Sequence, residues 1–412
     1  MWRLFILILI FFTIDFFAFQ SFRSVFKGKW LYIIFILISV GTIGNLFYQF
    51  STLNRSATGF TMGVKVALAI FSVVYLAKVF LALFMFGEDI FRFFKSIFNL
   101  ITEQRTASGS YIPSRRKFIG QLALGVASIP FAASIYGIIK GKYNYKVIKH
   151  TLAFKDLPEA FDGYQITQIS DMHCGSFDNP EKIAYGIDLI NQQQSDLILF
   201  TGDMVNNVAD EMLPWMDTFS KLNAKDGMFS VLGNHDYGDY RSWPSKEAKA
   251  ENLQKLIDRQ EQIGFKVLKN ESAFIEKNNQ RIAIQGVENW GVGGFKKAGD
   301  LEKTVEHVNA DDFKILMSHD PSHWEAEVVD HKFKHHLTLS GHTHGMQFGI
   351  EIPGWFKWSP IKWRYKQWAG IYEQKEQYIN VNRGFGFLAF PGRIGIWPEI
   401  TVITLKRESA TA

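Results

Sequence analysis

Cysteine is almost absent from this chain of 412 residues, and Cys174 is its single example. No disulfide can form within the chain, so cysteine usage does not identify the compartment. Cys174 itself is open to two readings, a small buried residue that packs like a hydrophobe or a reactive thiol. Acidic residues are the second scarcity, and a local one. Residues 1–150 carry 17 Lys and Arg against 4 Asp and Glu, whereas residues 151–412 carry 28 against 36. The basic balance therefore belongs to the first third alone. A net acidic remainder lacks the basic surface on which nucleic-acid binding depends, and no nucleic-acid partner is expected. Low-complexity segments and internal repeats are also missing.

The first third is rich, by contrast, in apolar length. Four runs, about Leu4–Phe19, Trp30–Phe50, Val64–Phe86 and Phe118–Ile139, approach or exceed the roughly 20 residues needed to cross a bilayer. Four such runs with so few acids predict four transmembrane helices in a membrane region spanning residues 1–141. Arg23, Lys27 and Lys29 lie between the first two runs. Arg92, Lys95, Arg105, Arg115, Arg116 and Lys117 lie between the last two, while only Arg55 occupies the intervening loop. The positive-inside rule puts both basic loops in the cytoplasm, both termini outside, and the C-terminal part on the extracytoplasmic side of the cell membrane. Asp15 is costly inside the first run unless it faces a partner or cavity; it marks either function or a weak first span. The stretch "SRRKFIG" from Ser114 resembles a twin-arginine export signal, but its place after three earlier spans is odd for one, and the reading as the basic flank of the fourth span is preferred. Both readings export the C-terminal part of the chain.

From about Lys142 the chain alternates strand-like and helix-like segments, which predicts an α/β layered fold over residues 142–412. Five apolar runs of strand length each end on a polar group. "YQITQIS" leads to Asp171 and His173, "DLILF" to Asp203, "MFSVL" to Asn234, His235 and Asp236, "FKILMS" to His319, and "HLTLS" to His342 and His344. Ligands bind beyond the carboxyl ends of strands in such sheets, so these side chains can converge. Oxygen and imidazole donors without thiolate suit Mn, Fe, Zn or Mg. Asp171, His173, Asp203, Asn234, His319, His342 and His344 are too many for one ion with an open position, and about right for two divalent ions sharing a carboxylate.

The ordered set D-x-H, G-D, G-N-H-D, S-H-D and G-H-T-H resembles the calcineurin-like metallophosphoesterase family, over residues 160 to 405. The closing "NRGFGFLAFPGRIGIWPEITVITL" further resembles a membrane-associated bacterial branch of it. The resemblance implies a layered β-sandwich flanked by helices. It implies Asp171, His173 and His344 as ligands of one metal, Asn234, His319 and His342 as ligands of the other, and Asp203 as the bridge. Asp203 and Asn234 would then also serve catalysis, Asn234 by stabilising charge, and His235 would be no ligand but the group that protonates the leaving oxygen. The implied activity is hydrolysis of a phosphodiester or pyrophosphate by metal-activated water, on a lipid or cell-envelope substrate. Two alternatives stand beside it: hydrolysis of UDP-2,3-diacylglucosamine in lipid A synthesis, whose cytoplasmic substrate conflicts with the deduced topology, and an inactive membrane receptor on the same fold. The branch usually reads G-H-T-H-G-G-Q, whereas Met346 stands here in place of a glycine. That substitution puts the loop shape in question and leaves the ligands untouched.

Residues 352 to 372 interleave Trp355, Trp358, Trp363 and Trp368 with Lys357, Lys362, Arg364 and Lys366. This composition fits a membrane–water interface, and equally a hairpin that packs its aromatics on the domain.

Overall fold

The computed structural model describes residues 2–52, 60–102 and 113–408. They form two compact units, one built from the N-terminal helices up to Ile138 and one running from Ile139 onward. Arg55 and Arg105, both part of the orientation argument, lie outside the described residues.

The first unit consists of α1 (Trp2–Val25), α2 (Lys29–Ser51), α3 (Met62–Ile101) and α4 (Pro113–Ile139). All four are long and apolar enough to cross a membrane. Each predicted run falls within one helix, but α3 continues well past its run. Its 40 residues span about 60 Å at ~1.5 Å per residue, twice the hydrocarbon thickness. The stretch beyond Gly87, expected as a connecting loop, is helical. It contains no proline or further glycine, and Arg92 lies 3.8 Å from both Glu88 and Asp89, one helical turn away. Residues 115–119 of the twin-arginine-like stretch are helical too, with Arg116 3.8 Å from Asp89. Asp15 faces partners: Lys78 Nζ donates to it at 2.7 Å, Tyr75 at 2.8 Å and Ser39 at 3.0 Å, joining α1, α2 and α3. A polar group in hydrocarbon is stable only when satisfied in this way.

The second unit stacks two six-stranded sheets between outer helices. Its strands are β1 (Lys146–Phe154), β2 (Gln165–Ile169), β3 (Leu197–Phe200), β4 (Met228–Ser230), β5 (Phe265–Val267), β6 (Glu271–Lys277) and β7 (Gln280–Gly286). They continue as β8 (Phe313–Met317), β9 (Leu337–Ser340), β10 (Ile350–Ile352), β11 (Phe356–Trp358), β12 (Gly370–Gln374), β13 (Gln377–Val381) and β14 (Glu399–Arg407). One sheet has the order β1-β14-β2-β3-β4-β5 and the other β12-β13-β9-β8-β7-β6. The helices are α5 (Pro180–Asn191), α6 (Met216–Phe219) and α7 (Lys246–Gln262). Asn179 caps α5 through Lys182 N, and Ser245 caps α7 through Ala248 N.

Strand periodicity explains the layering. In β3, Leu197 and Leu199 enter the core between the sheets, while Ile198 and Phe200 pack beneath α5 with Ile183, Ile187 and Ile190. In β8, Ile315 and Met317 point into the same inter-sheet core and Leu316 meets Trp324 and Val328 on the far side. Both faces are buried, so these strands read as continuous apolar runs. The strands β2, β3 and β4 are mutually parallel, as are β8 and β9. Their carboxyl ends open onto one edge of the sandwich.

Candidate metal centre

Each of those five strands ends in a sharp turn that delivers a polar side chain. Asp171, His173, Asp203, His342 and His344 all adopt left-handed backbone, with φ of 51°, 47°, 60°, 69° and 49°. Side-chain-bearing residues avoid that region at a cost of about 1–3 kcal/mol each, so its concentration here marks a site that the surrounding fold enforces.

The seven side chains converge. Donor atoms of Asp171, His173 and His344 lie within 4.8 Å of one another, as do those of Asp203, His319 and His342. His173 Nε2 is 3.0 Å from His344 Nε2, and His344 Nε2 is 3.2 Å from Asp171 Oδ1. In the second group His319 Nε2 is 3.1 Å from Asp203 Oδ2 and 3.3 Å from His342 Nδ1, which in turn lies 2.8 Å from Asn234 Oδ1. Asp203 Oδ2 links the groups, since it is also 3.5 Å from His173 Nε2. Donor pairs at such separations match adjacent ligands around an ion with bonds of about 2.1 Å. Two imidazole nitrogens facing each other satisfy at most one hydrogen bond, and the buried Nδ1 of His173 has no partner. The donor set therefore fits divalent cations.

Electrostatics agree. Burial disfavours the charged form of Asp171 and Asp203, but the facing imidazoles of His344 and His319 outweigh it and hold both carboxyls below the usual range. Burial keeps His173 well below its ordinary value and lowers His342 to about 4. Ionised carboxylates beside neutral imidazoles are the forms that bind metal. For His319, burial pulls downward while Asp203 pulls harder upward, leaving it at about 10; this is a place where a carboxylate demands positive charge.

His235 stands at the rim, half-buried. Its backbone N–H donates to Asp203 Oδ1 at 2.8 Å and its Nδ1 lies 2.8 Å from the Asn206 carbonyl. Asn234 is steadied by its own amide, which donates to Tyr240 at 2.7 Å.

Several supporting residues escape a reading of the sequence. Asp236, part of G-N-H-D but without a role implied there, accepts from the backbone N–H of Asp203, Met204 and Gly233 at 2.9 Å each, tying the β3 and β4 turns together. Asp320, the last residue of S-H-D, accepts from Tyr365, whose hydroxyl meets His342 Nε2. Buried Arg393 donates to the carbonyls of Arg383, Gly384 and Gly386 and touches His344 Nδ1 at 3.2 Å. Motif position is the available signal for the two aspartates; nothing local marks Tyr365. Cys174 is buried and burial pushes its thiol up, which matches a packing role.

The loop at Met346 keeps the backbone a glycine would favour. Its φ is 57° and ψ 14°, and its side chain projects outward. The aromatic segment divides: Trp368 and Tyr365 are buried with Ile396, while Trp355 and Trp363 stand exposed around the antiparallel β10–β11 hairpin.

The fold agrees with comparison to known proteins. Residues 164–346 match the family described as "Calcineurin-like phosphoesterase", and residues 2–142 match "Probable Calcineurin-like phosphoesterase, transmembrane domain". A Bacillus subtilis protein named "Uncharacterized metallophosphoesterase YkuE" is 30% identical over 71% of this chain and 98% of its own length. The "Phosphodiesterase YaeI" of Escherichia coli is 26% identical over 71% of this chain and 99% of its own. A Danio rerio "Transmembrane protein with metallophosphoesterase domain" is 24% identical over 74% of this chain, and the match spans 65% of that protein. The chain belongs to the calcineurin-like metallophosphoesterase family, a class of metal-dependent phosphoric ester hydrolases, and carries the membrane region of its four-helix members.

Proposed function

We propose that the protein is a membrane-anchored hydrolase of phosphodiester or pyrophosphate bonds that works with two divalent ions. The observation that carries this reading is Asp203 Oδ2, 3.5 Å from His173 of one donor group and 3.1 Å from His319 of the other. Asp171, His173 and His344 would hold one ion, Asn234, His319 and His342 the second, and Asp203 both. When bound, such a pair lowers the pKa of water and neutralises charge on a phosphoryl group. Asn234 donates to the charge that develops on phosphorus-bound oxygen. His235 delivers a proton to the leaving oxygen: its Nδ1 is engaged by Asn206, so Nε2 is the ring atom that gives and takes the proton.

The catalytic unit works outside the cytoplasm, a reading supported by the basic residues that flank the spans on one side, Arg23, Lys27 and Lys29 and again Arg92, Lys95 and Arg115 to Lys117. A lipid-linked or cell-envelope phosphoester is the substrate class that fits an extracytoplasmic, membrane-anchored centre. Hydrolysis of a nitrophenyl phosphodiester by the purified full chain, before and after metal stripping, tests the chemistry. A reporter fused after Ala412 tests the side, and cytoplasmic activity of that reporter would reject the extracytoplasmic assignment.

A further inference from the structure

The exposed side chains of the aromatic segment gather on the β10–β11 hairpin, where Ile350 pairs with Trp358 and Ile352 with Phe356, and Ser359 ties the segment to the Gly345 loop beside the metal centre. Trp355 is 81% exposed and Trp363 75%, and Met346, Ile350, Ile352 and Phe356 are also exposed. Ordinary hairpin packing would bury the two tryptophans. The segment has a core of its own, in which Tyr365 and Trp368 pack on Ile396, so the outward rings are not displaced for want of an interior. Residues 352–372 contain Lys357, Lys362, Arg364 and Lys366 and no acid, although acids exceed bases over residues 151–412. Tryptophan interleaved with cations is the composition that settles at the headgroup level of anionic membranes. A bilayer is also near at hand through the chain itself: α4 ends at Ile139 and the first turn of the catalytic unit is Gly141–Tyr143.

We propose that this face seats in the headgroup boundary of the bilayer that the four helices cross, and so presents the metal centre to phosphoesters held at the membrane surface. The second clause rests on the hydrolase reading above; the first does not. Three contacts join the seated segment to the metal loop. Ser359 Oγ donates to the Gly345 carbonyl at 2.8 Å, Thr343 Oγ1 to the Trp368 carbonyl at 2.7 Å, and Tyr365 meets His342 Nε2 at 2.9 Å. Insertion at Trp355 and Trp363 is thereby fixed relative to His342 and His344.

The test uses the full chain in vesicles of phosphatidylcholine and phosphatidylglycerol. Trp355→Cys, Trp363→Cys and, as a control on the distant strand β6, Glu276→Cys are each labelled with an environment-sensitive fluorophore; buried Cys174 makes the parent chain the blank. Blue-shifted emission quenched by lipids bearing a nitroxide near the glycerol is expected at 355 and 363 and not at 276. Water-like, unquenched emission at 355 and 363 overturns the proposal. So does shielding without lipid quenching that disappears on diluting the protein in lipid, which would mean contact between copies. A second arm compares Trp355→Ala/Trp363→Ala with the parent on soluble bis(nitrophenyl) phosphate and on nitrophenyl hexadecyl phosphate partitioned into the vesicles. Turnover of the soluble diester should be unchanged and that of the embedded one should fall about tenfold or more. Equal effects on both would remove the presentation clause. Failure of the parent to cleave either diester would count against the hydrolase reading while the quenching result still decides the seat.

Discussion

The hydroxyl of Tyr365 lies 2.9 Å from Nε2 of His342 and donates to Asp320 at 3.3 Å. This chain fixes His342 with its proton on Nε2, leaving the Nδ1 lone pair directed toward Asn234 and His319. Tyr365→Phe should weaken metal binding about 10- to 100-fold, as loss of an orienting partner commonly does. Activity titrated against added Mn should shift its midpoint by that factor and recover at saturating metal. An unshifted midpoint with lowered activity would contradict the positioning role.

Met346 sits at φ 57° with an exposed side chain, so Met346→Gly removes left-handed strain and little packing. The larger unfolded-state entropy of glycine offsets part of the gain. Denaturation should show a change from near zero to about 1 kcal/mol of stabilisation. The neighbouring Gly345 behaves oppositely: an added Cβ meets Ile396 at 2.8 Å, and Gly345→Ala should destabilise by about 1–3 kcal/mol.

Burial lowers His335 to about 3 and His323 and His336 to about 4, all from an ordinary 6.5. Folded values below unfolded ones mean that the unfolded chain binds more protons as pH falls. Their contribution is complete above pH 6.5 and is lost progressively toward pH 4 for His323 and His336 and toward pH 3 for His335. Each histidine should remove about 2 kcal/mol between pH 7 and 5. His335→Gln, compared with the parent at both pH values and equal metal, should flatten that slope by one histidine's share; an identical slope would contradict the assignment.

Asp15→Asn leaves Lys78 without its counter-charge among α1, α2 and α3. Stability in detergent should fall by about 1–3 kcal/mol, between the values for interhelical hydrogen bonds and for broken buried pairs. Lys78→Met added to that change should recover much of the loss. Additive losses would show that the two residues do not act as a pair.

Whether a feature is legible in the sequence depends on how local its cause is. The strands β2, β3, β4, β8 and β9 are buried on both faces, so they appear as short apolar runs, and the polar groups that end them need only adjacency to be noticed. Tyr365 is 23 residues from His342, and its role depends on a hairpin turning back over the metal loop. The parallel pairing of β1 with β14 joins the two ends of the catalytic unit, which no local pattern encodes. Likewise Trp355 and Trp368 share one composition-defined segment, and tertiary packing of Trp368 with Tyr365 and Ile396 separates buried from exposed. The helical extension of α3 is hidden because its charges resemble those of a loop, although charges spaced one turn apart suit an exposed helix.

The most direct test is the metal content and diester turnover of the purified full chain. Stripped protein given Mn or Zn should bind two ions and cleave bis(nitrophenyl) phosphate, and Asp203→Asn should lose the shared ligand and about 10³-fold or more in kcat. Metal-independent cleavage, or Asp203→Asn with unchanged turnover and two ions bound, would contradict a centre built on Asp203.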